Sequence, residues 1–339
     1  MTPGPASGRA ADPVRTVFFG SGAFAVPIFE ALATHPRIEL VGVVTAPDRL
    51  AGRGKLVRPT PVALQARTTW ASLLQPNRLR HDEAITRVAE LRPHLGVLAD
   101  YGQIVPSAIL ELPPHGILNV HPSLLPRHRG ATPIPAAISS GDDRTGVTII
   151  RMDDGIDTGP IVAQEGWPLD GTETGLDLEA RAAAAGAGLL ARTLGPWLDG
   201  ELDAVPQGEG ATLTRPFRRD HGRIDPAHPA AELERGIRAR AGWPGSFVET
   251  TLGRVLVHRA RPAAGEAGEK PGRLTVDGGG LLLTTADGRL LLEEVQLPGG
   301  RVVTGEELLR GHPEYGETEV GKPAKVEATG TAEAAGAAS

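Results

Sequence analysis

Asn119-Val120-His121-Pro122-Ser123-Leu124-Leu125-Pro126, followed by Arg127-His128-Arg129-Gly130, is the stretch best equipped for chemistry. Asn119 and His121 stand two apart in Ile117–His121 (ILNVH), which reads as a buried strand, so their side chains leave the same face. Pro122 holds His121 in extended geometry. An amide donor and an imidazole side by side suit the polarisation of a carbonyl and the stabilisation of the oxyanion that forms on it. A second stretch, Met152-Asp153-Asp154-Gly155-Ile156-Asp157-Thr158-Gly159, is dense in carboxylates and glycines. A carboxylate reaching His121 from this loop favours the imidazolium. It can also accept a proton from an attacking amine, directly or through a water.

Other chemistries fit less well. His121 and His128 do not have the spacing of H-x-x-x-H, no H-E-x-x-H occurs, and no metal site is expected. Ser107 and Ser123 lack the G-x-S-x-G setting of a hydrolase elbow. Gly52-Arg53-Gly54-Lys55 lacks the spacing of a phosphate loop. One competitor remains open on the residues alone. Gly20-Ser21-Gly22-Ala23-Phe24-Ala25 fits G-x-G-x-x-G/A between a strand and a helix, and Asp48 ends the next strand, as in a dinucleotide-binding dehydrogenase. Against it, any doubly wound fold needs a tight glycine turn there. Asp48 lies further on than the ~20 residues that fingerprint prefers, and Pro27 removes one amide donor.

The elements that must position these residues alternate. Strand-like runs at Val14–Gly20, Ile38–Thr45, Ser72–Gln75, Leu95–Ala99 and Ile117–His121 are interleaved with helical spacing at Ala23–Ala33, Val62–Trp70 and Asp82–Leu91. This predicts an α/β fold, a Rossmann-like and mostly parallel sheet. Ligands bind beyond the carboxyl ends of such strands. Ala46–Pro61 is polar and aperiodic and reads as a loop. Val147–Met152 and Gly159–Glu165 read as two strands joined by the carboxylate loop, and Leu176–Leu194 as a closing helix. The pattern breaks around Gly200–Gly210. Beyond it a helix at Ala230–Arg240 precedes short strands at Ser246–Thr251, Arg254–His258, Arg273–Val276, Gly280–Thr285 and Arg289–Glu294, the signature of a small OB-like β-barrel. The expected organisation is a disordered 1–13, a catalytic domain over 14–205, a barrel domain over 210–320 and a low-complexity, disordered tail over 321–339.

Composition bounds the partners. The chain has 339 residues, 40% hydrophobic and 22% charged, as in ordinary globular proteins. A net charge of -6 means that any nucleic-acid contact must come from local basic patches. The absence of cysteine removes disulfides, thiolate nucleophiles and cysteine-ligated metal centres. No apolar run approaches a membrane span, and MTPGPASGRAADP has no apolar h-region, so a cytoplasmic protein without membrane contact is expected.

Asn119, His121, Ser123–Pro126 and Asp157 together resemble the folate-dependent formyltransferase family, whose pattern is Asn-x-His, then Ser-Leu-Leu-Pro, then an aspartate some thirty-five residues on. Three further stretches resemble the branch whose acceptor is a charged initiator tRNA. These are Pro47–Lys55, Pro126–Ile134 with Gly146–Ile149, and a C-terminal set including Gly222–Asp225, Glu232–Ala239, Trp243-Pro244, Pro298–Gly300 and Gly305–Leu309. The resemblance spans roughly residues 14–315. The chain departs from the pattern at Ser21-Gly22-Ala23, where Thr-Pro is usual, at His121-Pro122, where His-Gly is commoner, and at Thr214–Arg219.

The resemblance implies 10-formyltetrahydrofolate as co-substrate and no metal. It implies that the pterin lies against the backbone of Tyr101, Gly102, Gln103, Ile104 and Val105 and of the loop with Asp154 and Gly155, walled by Ser123, Leu124, Leu125 and Pro126. It further implies direct transfer. The amine of a methionyl-initiator tRNA attacks the formyl carbon, Asn119 and protonated His121 hold the oxyanion, and Asp157 keeps His121 charged and helps move the proton. Arg49, Arg53, Lys55 and Arg58 beside this site, and a second cluster of Arg215, Arg218, Arg219, Arg223, Arg235, Arg238 and Arg240, suit phosphate contacts. Among these, Arg49, Arg53, Lys55, Arg58, Arg218, Arg219 and Arg238 are the expected tRNA contacts. At 4%, aromatic residues are too few for base-stacking along a single strand. A monomer is expected.

Overall fold

The computed structural model describes residues 12–51, 56–265 and 269–321. The segments expected to be disordered, 1–11 of the N-terminus and 322–339 of the tail, lie outside the described residues, as do Arg53 and Lys55. The described chain divides into two compact units between Phe217 and Arg218.

Along the first unit run β1 (Val14–Gly20), α1 (Ala25–Ala33), β2 (Ile38–Val44), β3 (Arg49–Ala51), β4 (Leu56–Arg58), α2 (Pro61–Ala66), β5 (Ser72–Leu74) and α3 (Asp82–Glu90). There follow β6 (Leu95–Ala99), α4 (Ser107–Leu110), β7 (Ile117–His121), β8 (Arg129–Gly130), α5 (Pro133–Ser140), β9 (Arg144–Arg151), β10 (Ile161–Pro168), α6 (Gly175–Leu198) and β11 (Leu213–Thr214). One seven-stranded sheet has the order β10-β9-β7-β6-β1-β2-β5. The strands β5, β2, β1, β6 and β7 are parallel, whereas β9 runs antiparallel to β7 and β10 antiparallel to β9. The central strands β6 and β7 are buried along their whole length; β6 reads as a continuous apolar run, whereas β7 carries Asn119 and His121 on one face.

Both faces are covered. Val17, Phe19, Leu98 and Ile117 pack with Val88 of α3 and Ile109 of α4. On the opposite side Phe18 meets Phe29 of α1 edge to face at 5.4 Å. Truncating a core residue such as Ile117 to alanine should cost about 2–5 kcal/mol. A capping box, Thr174 with Asp177, starts α6.

The stretch 46–61 is not the plain loop its aperiodic sequence suggests. β3 and β4 pair antiparallel, Arg49 opposite Arg58 and Ala51 opposite Leu56. Three-residue strands are too short to show alternation. The unit also extends past the break expected at 200–210, because β11 pairs in parallel with β8, Leu213 on Arg129 and Thr214 on Gly130.

The second unit contains α7 (Ala230–Ala239), β12 (Ser246–Thr250), β13 (Gly253–Ala263), β14 (Leu274–Asp277), β15 (Gly280–Thr284), β16 (Arg289–Gln296), β17 (Val302–Thr304) and α8 (Gly305–Gly311). Its antiparallel sheet has the order β12-β13-β16-β15-β14, with β17 on β16. The free edges β12 and β14 are joined by Thr318–Gly321. Thr251 N–H donates to Glu319 and Gly321 N–H to Glu249 on one side, while Leu274 N–H donates to Thr318 and Val320 N–H to Gly272 on the other. This insertion satisfies both edges and closes a small barrel. Its interior holds Val248, Val255, Leu281, Leu283, Leu290 and Val295, capped by Leu233 and Ile237 of α7. No helix among the described residues is long and apolar enough to cross a membrane.

Candidate active site

β7 lies at the seam between the parallel and antiparallel halves of the sheet, with β6 on one side and β9 on the other. Asn119 pairs with Leu98 and Ile150, and His121, at the carboxyl end, with Thr148. Their side chains are 5% exposed each, so every polar atom on them needs a partner.

Asp157 supplies most of those partners. Asn119 Nδ2 donates to Asp157 Oδ1 at 2.9 Å, and His121 Nδ1 lies 3.6 Å from Oδ2. The Gly130 N–H donates to the same Oδ2 at 2.8 Å. On the other side of the ring, His121 Nε2 lies 2.9 Å from the carbonyl oxygen of His128. A carbonyl only accepts, so Nε2 carries a proton, and the ring then turns Nδ1 toward a carboxylate. Asn119 keeps one amide hydrogen beyond the one given to Asp157, free for an incoming oxygen.

Asp157 holds this position with φ +52°, in the left-handed region that few non-glycine residues occupy. Its loop is folded by Asp153, which accepts from Gly155 N–H at 3.1 Å and from the Thr158 hydroxyl at 2.6 Å. Gly130 is required for two reasons. Its φ is +95°, and a Cβ there would stand 2.4 Å from the Thr214 carbonyl of β11.

The two loops named for a pterin are brought together. The Ser107 hydroxyl donates to Asp154 at 2.7 Å, joining the start of α4 to the carboxylate loop. Ile104 and Ile156, one on each loop, expose 80% and 56% of their surface. Tyr101 is buried with its hydroxyl unpartnered, and burial pushes that hydroxyl's pKa up. Exposed apolar side chains and an orphaned hydroxyl fit a flat, polar-edged heterocycle such as a pterin. The side chain of Gln103 is used inside the fold, accepting from Leu79 N–H at 2.8 Å and donating to the Pro76 carbonyl at 3.2 Å. Ser123 and Leu125 are buried. Ser123 Oγ donates to the Arg127 carbonyl at 2.7 Å. A Cβ at Gly146 or Gly166 would run into Leu124, so those glycines make its seat on β9 and β10. Pro126 follows a cis peptide bond. Ser123, Leu124 and Leu125 are thus engaged within the fold, and the wall they offer is main chain.

Beyond the carboxyl ends of β1, β2, β5 and β6 opens a cleft of about 1200 Å³, lined among others by Arg49, Arg58, Arg78, Arg80, Tyr101 and Ile104. Ser21, Gly22, Asp48 and Asp100 line it too. Asp48 is occupied by Arg67 at 3.2 Å and Gln75 at 2.7 Å. A Cβ on Gly22 would meet the Asp100 carboxylate at 1.7 Å, so Asp100 stands against the second glycine of the fingerprint. Loss of water, and the nearby charge of Glu179, push the Asp100 pKa up to about 6. Burial likewise raises the pKa of Glu179, although its carboxylate accepts a hydrogen bond from Phe24 N–H at the start of α1. The turn that reads as a pyrophosphate site is therefore occupied by the chain's own carboxylates.

In the second unit Arg218 pairs with Asp220 at 3.5 Å, Arg219 stacks over Trp243 at 5.8 Å, and Arg238 forms an i,i+4 pair with Glu234.

Residues 14–194 match the formyl transferase family, and residues 217–313 match the formyl transferase C-terminal domain. The chain belongs to the formyl transferase family. A methionyl-tRNA formyltransferase of Myxococcus xanthus is 41% identical over 302 residues, covering 88% of this chain and 95% of that one. The methionyl-tRNA formyltransferase of Thermus thermophilus is 39% identical over 300 residues, covering 88% and 96%. Among solved structures, an N-formyltransferase from Helicobacter canadensis, in complex with folinic acid and dTDP-3-aminofucose, superposes with a TM-score of 0.62 at 18% identity, over 82% of this chain and 98% of that one. HypX from Aquifex aeolicus in complex with tetrahydrofolic acid gives 0.57 at 17% identity, over 88% and 47%. At such identities these structures speak for the fold.

Two residues around the site of this formyl transferase, His128 and Gln207, have structural roles that the sequence does not announce. His128 is buried with φ +61°, and its Nε2 lies 2.7 Å from Asp142. Burial lowers the His128 pKa despite that partner. Burial opposes the Asp142 charge, but hydrogen bonds from Arg127 and His128 outweigh it and hold that carboxyl below its usual range. Arg127 and His128 thereby pin the carbonyl that meets His121. Gln207 is the other such residue. It donates to the carbonyls of Asp157 and Gly159 at 2.7 and 2.8 Å.

Proposed function

We propose that this chain transfers the formyl group of 10-formyltetrahydrofolate to the amino group of methionyl-initiator tRNA, with Asn119, His121 and Asp157 as its catalytic residues. The observation that carries the chemistry is the convergence of Asn119 Nδ2 and His121 Nδ1 on the Asp157 carboxylate, at 2.9 and 3.6 Å, on the carboxyl edge of the sheet. The choice of acceptor is supported by relatives about 40% identical over nearly their whole length.

The bound folate supplies the formyl carbon and the nitrogen that leaves. The Tyr101–Val105 backbone and the Asp153–Asp157 loop hold it, with Ile104 and Ile156 covering the ring. Asn119 donates its remaining amide hydrogen to the oxygen on which negative charge gathers, and His121, whose Nε2 stays on the His128 carbonyl, turns its Nδ1 hydrogen from Asp157, 3.6 Å away, to the same oxygen, a role typically worth a factor of about 10²–10³ per donor. Asp157 keeps His121 protonated and takes part in moving the amine's proton to the leaving nitrogen. One carbon–nitrogen bond forms and one breaks, with the proton passing between the two nitrogens. Arg49 and Arg58 on the β3–β4 hairpin, with Arg53 and Lys55 between them, meet phosphates of the acceptor end. Arg218, Arg219 and Arg238 of the second unit hold the body of the tRNA. In this reading the protein acts as a monomer in the cytoplasm.

A formyl-transfer assay comparing charged initiator tRNA, glycinamide ribonucleotide and an amino-sugar nucleotide tests the reading. Transfer to the tRNA is expected. Transfer to either small molecule and not to the tRNA overturns it.

A further inference from the structure

Asp157 does its work from a left-handed backbone position, φ +52°. Such a conformation persists only where the surroundings over-determine it. The side chain's own contacts, to Asn119 and Gly130, are on the reacting side. Asp153 folds the loop from within, and a second hold on its main chain comes from the segment between α6 and the end of the first unit.

That segment crosses the site as a strap. Val205 exchanges backbone hydrogen bonds with Ile161 at 2.7 and 2.8 Å, fixing one end beside β10. Thr212 takes hold of the other side: its carbonyl accepts from Arg129 N–H at 2.9 Å and its hydroxyl from His128 N–H at 2.8 Å. Between these anchors Gln207 reaches in. Its two amide hydrogens go to the carbonyls of Asp157 and Gly159, at 2.7 and 2.8 Å. Its Oε1 accepts from Arg129 Nε at 3.1 Å and from a terminal guanidinium nitrogen at 2.8 Å. Arg129 precedes Gly130, whose N–H donates to Asp157 Oδ2. One amide thus closes a ring of contacts that starts and ends on Asp157 and spends every hydrogen-bonding group it has.

We propose that Gln207 is a positioning residue for the transfer step, holding the Asp157 loop at the spacing from Asn119 and His121 that the reaction needs. This rests on the role of Asp157 given above. Loss of the grip lets the loop relax from its left-handed turn. A displacement of about 1 Å at a reacting group can cost on the order of 10²-fold in rate.

The test uses the full-length enzyme with Gln207→Ala and Gln207→Glu. A glutamate still accepts from Arg129 but donates to neither carbonyl, so both variants are expected to lose about 10- to 100-fold in kcat. KM for charged tRNA should stay within about threefold, and because the Asp153–Asp157 loop also holds the folate, kcat is read at saturating folate, so that weaker folate binding does not enter it. The deciding measurement is a double-mutant cycle. In an Asp157→Asn background, Gln207→Ala should cost nothing further, because the group it positions is already gone. An effect of the same size in both backgrounds, or a kcat within twofold of wild type for Gln207→Glu, overturns the inference. Should Asp157→Asn itself prove fully active, the catalytic role of Asp157 fails, and this inference with it. A dead Asp157→Asn beside an unimpaired Gln207→Glu removes only the positioning role.

Discussion

Replacing Asp157 by asparagine keeps the shape of the side chain and changes two things at once. The carboxylate accepts on both oxygens, from Asn119 Nδ2 at 2.9 Å and from Gly130 N–H at 2.8 Å, with His121 Nδ1 at 3.6 Å. An amide has one acceptor oxygen. The Gly130 N–H belongs to the backbone and cannot turn, so the new oxygen must face it, and the new NH₂ must face Asn119. Two NH₂ groups repel, and Asn119 relieves this by flipping to present Oδ1. The hydrogen it held ready for the formyl oxygen is then replaced by a lone pair. Loss of one oxyanion donor costs about 10²–10³ in rate, some 2.7–4 kcal/mol. Removing the charge beside His121 adds to this, though not additively, because the three side chains act as a unit. Asp157→Asn should therefore lower the rate of the chemical step at least 10²-fold while folate affinity stays within about threefold. Single-turnover transfer to charged tRNA, with folate pre-bound, isolates that step. A rate within about threefold of wild type would refute both the flip and the role assigned to Asp157.

Three further outcomes follow from the cleft. The folded-state pKa of Asp100, about 6, lies above its unfolded value of 3.8, so its ionisation opposes folding above that range and the cost fades as pH falls from 6 toward 4. Asp100→Asn should stabilise the protein at pH 7–8 by about 1 kcal/mol after allowance for the water that reaches the group, and should leave thermal melting at pH 4 unchanged; equal shifts at both pH values would exclude the titration. Nicotinamide-fluorescence titration should show no saturable binding of NADH or NADPH, and micromolar binding would restore the dehydrogenase reading. Affinity for tRNA should fall steeply with salt, and Arg49→Ala with Arg58→Ala should shallow the log–log slope by roughly one unit for each phosphate no longer neutralised, an unchanged slope marking the hairpin as bare surface.

Where signals were local, the sequence was readable. LGVLA is a short apolar run and ILNVH an apolar run with two polar residues at alternate positions, and both are strands that bury every residue. The pairing of Asn119 with His121 follows from the period of two alone. Elements that depend on distant partners were not readable. The β3–β4 hairpin is too short for a pattern. The helix at Pro133–Ser140 is masked by its two prolines, both in its first turn, where a proline lacks only a bond that no residue there would make. β11 exists because Gly130 has no side chain to keep Thr214 away. Gln207 lies in a run of Pro, Gly and Glu with no periodicity, fifty residues from Asp157 in the chain. Nothing local distinguishes it from surface.

The glycine fingerprint shows why a motif needs its surroundings. The second glycine of G-x-G-x-x-G/A exists so that something can approach the backbone closely, and the helix that follows offers N–H groups to an anion. Both conditions hold here, and both are met from within. Asp100, in the bend that follows β6, approaches Gly22, and Glu179, carried by α6, accepts from the Phe24 N–H. A pyrophosphate entering this turn would have to displace one carboxylate and lie against another. The same physical rule operates at the neighbouring strand end with a different outcome. Asn119 and His121 also meet a carboxylate, but Asp157 stands on a loop and leaves Asn119 one hydrogen to give. An anion-favouring position already filled by carboxylates excludes an anionic ligand. One that keeps a donor to spare beside its carboxylate can stabilise charge as it forms.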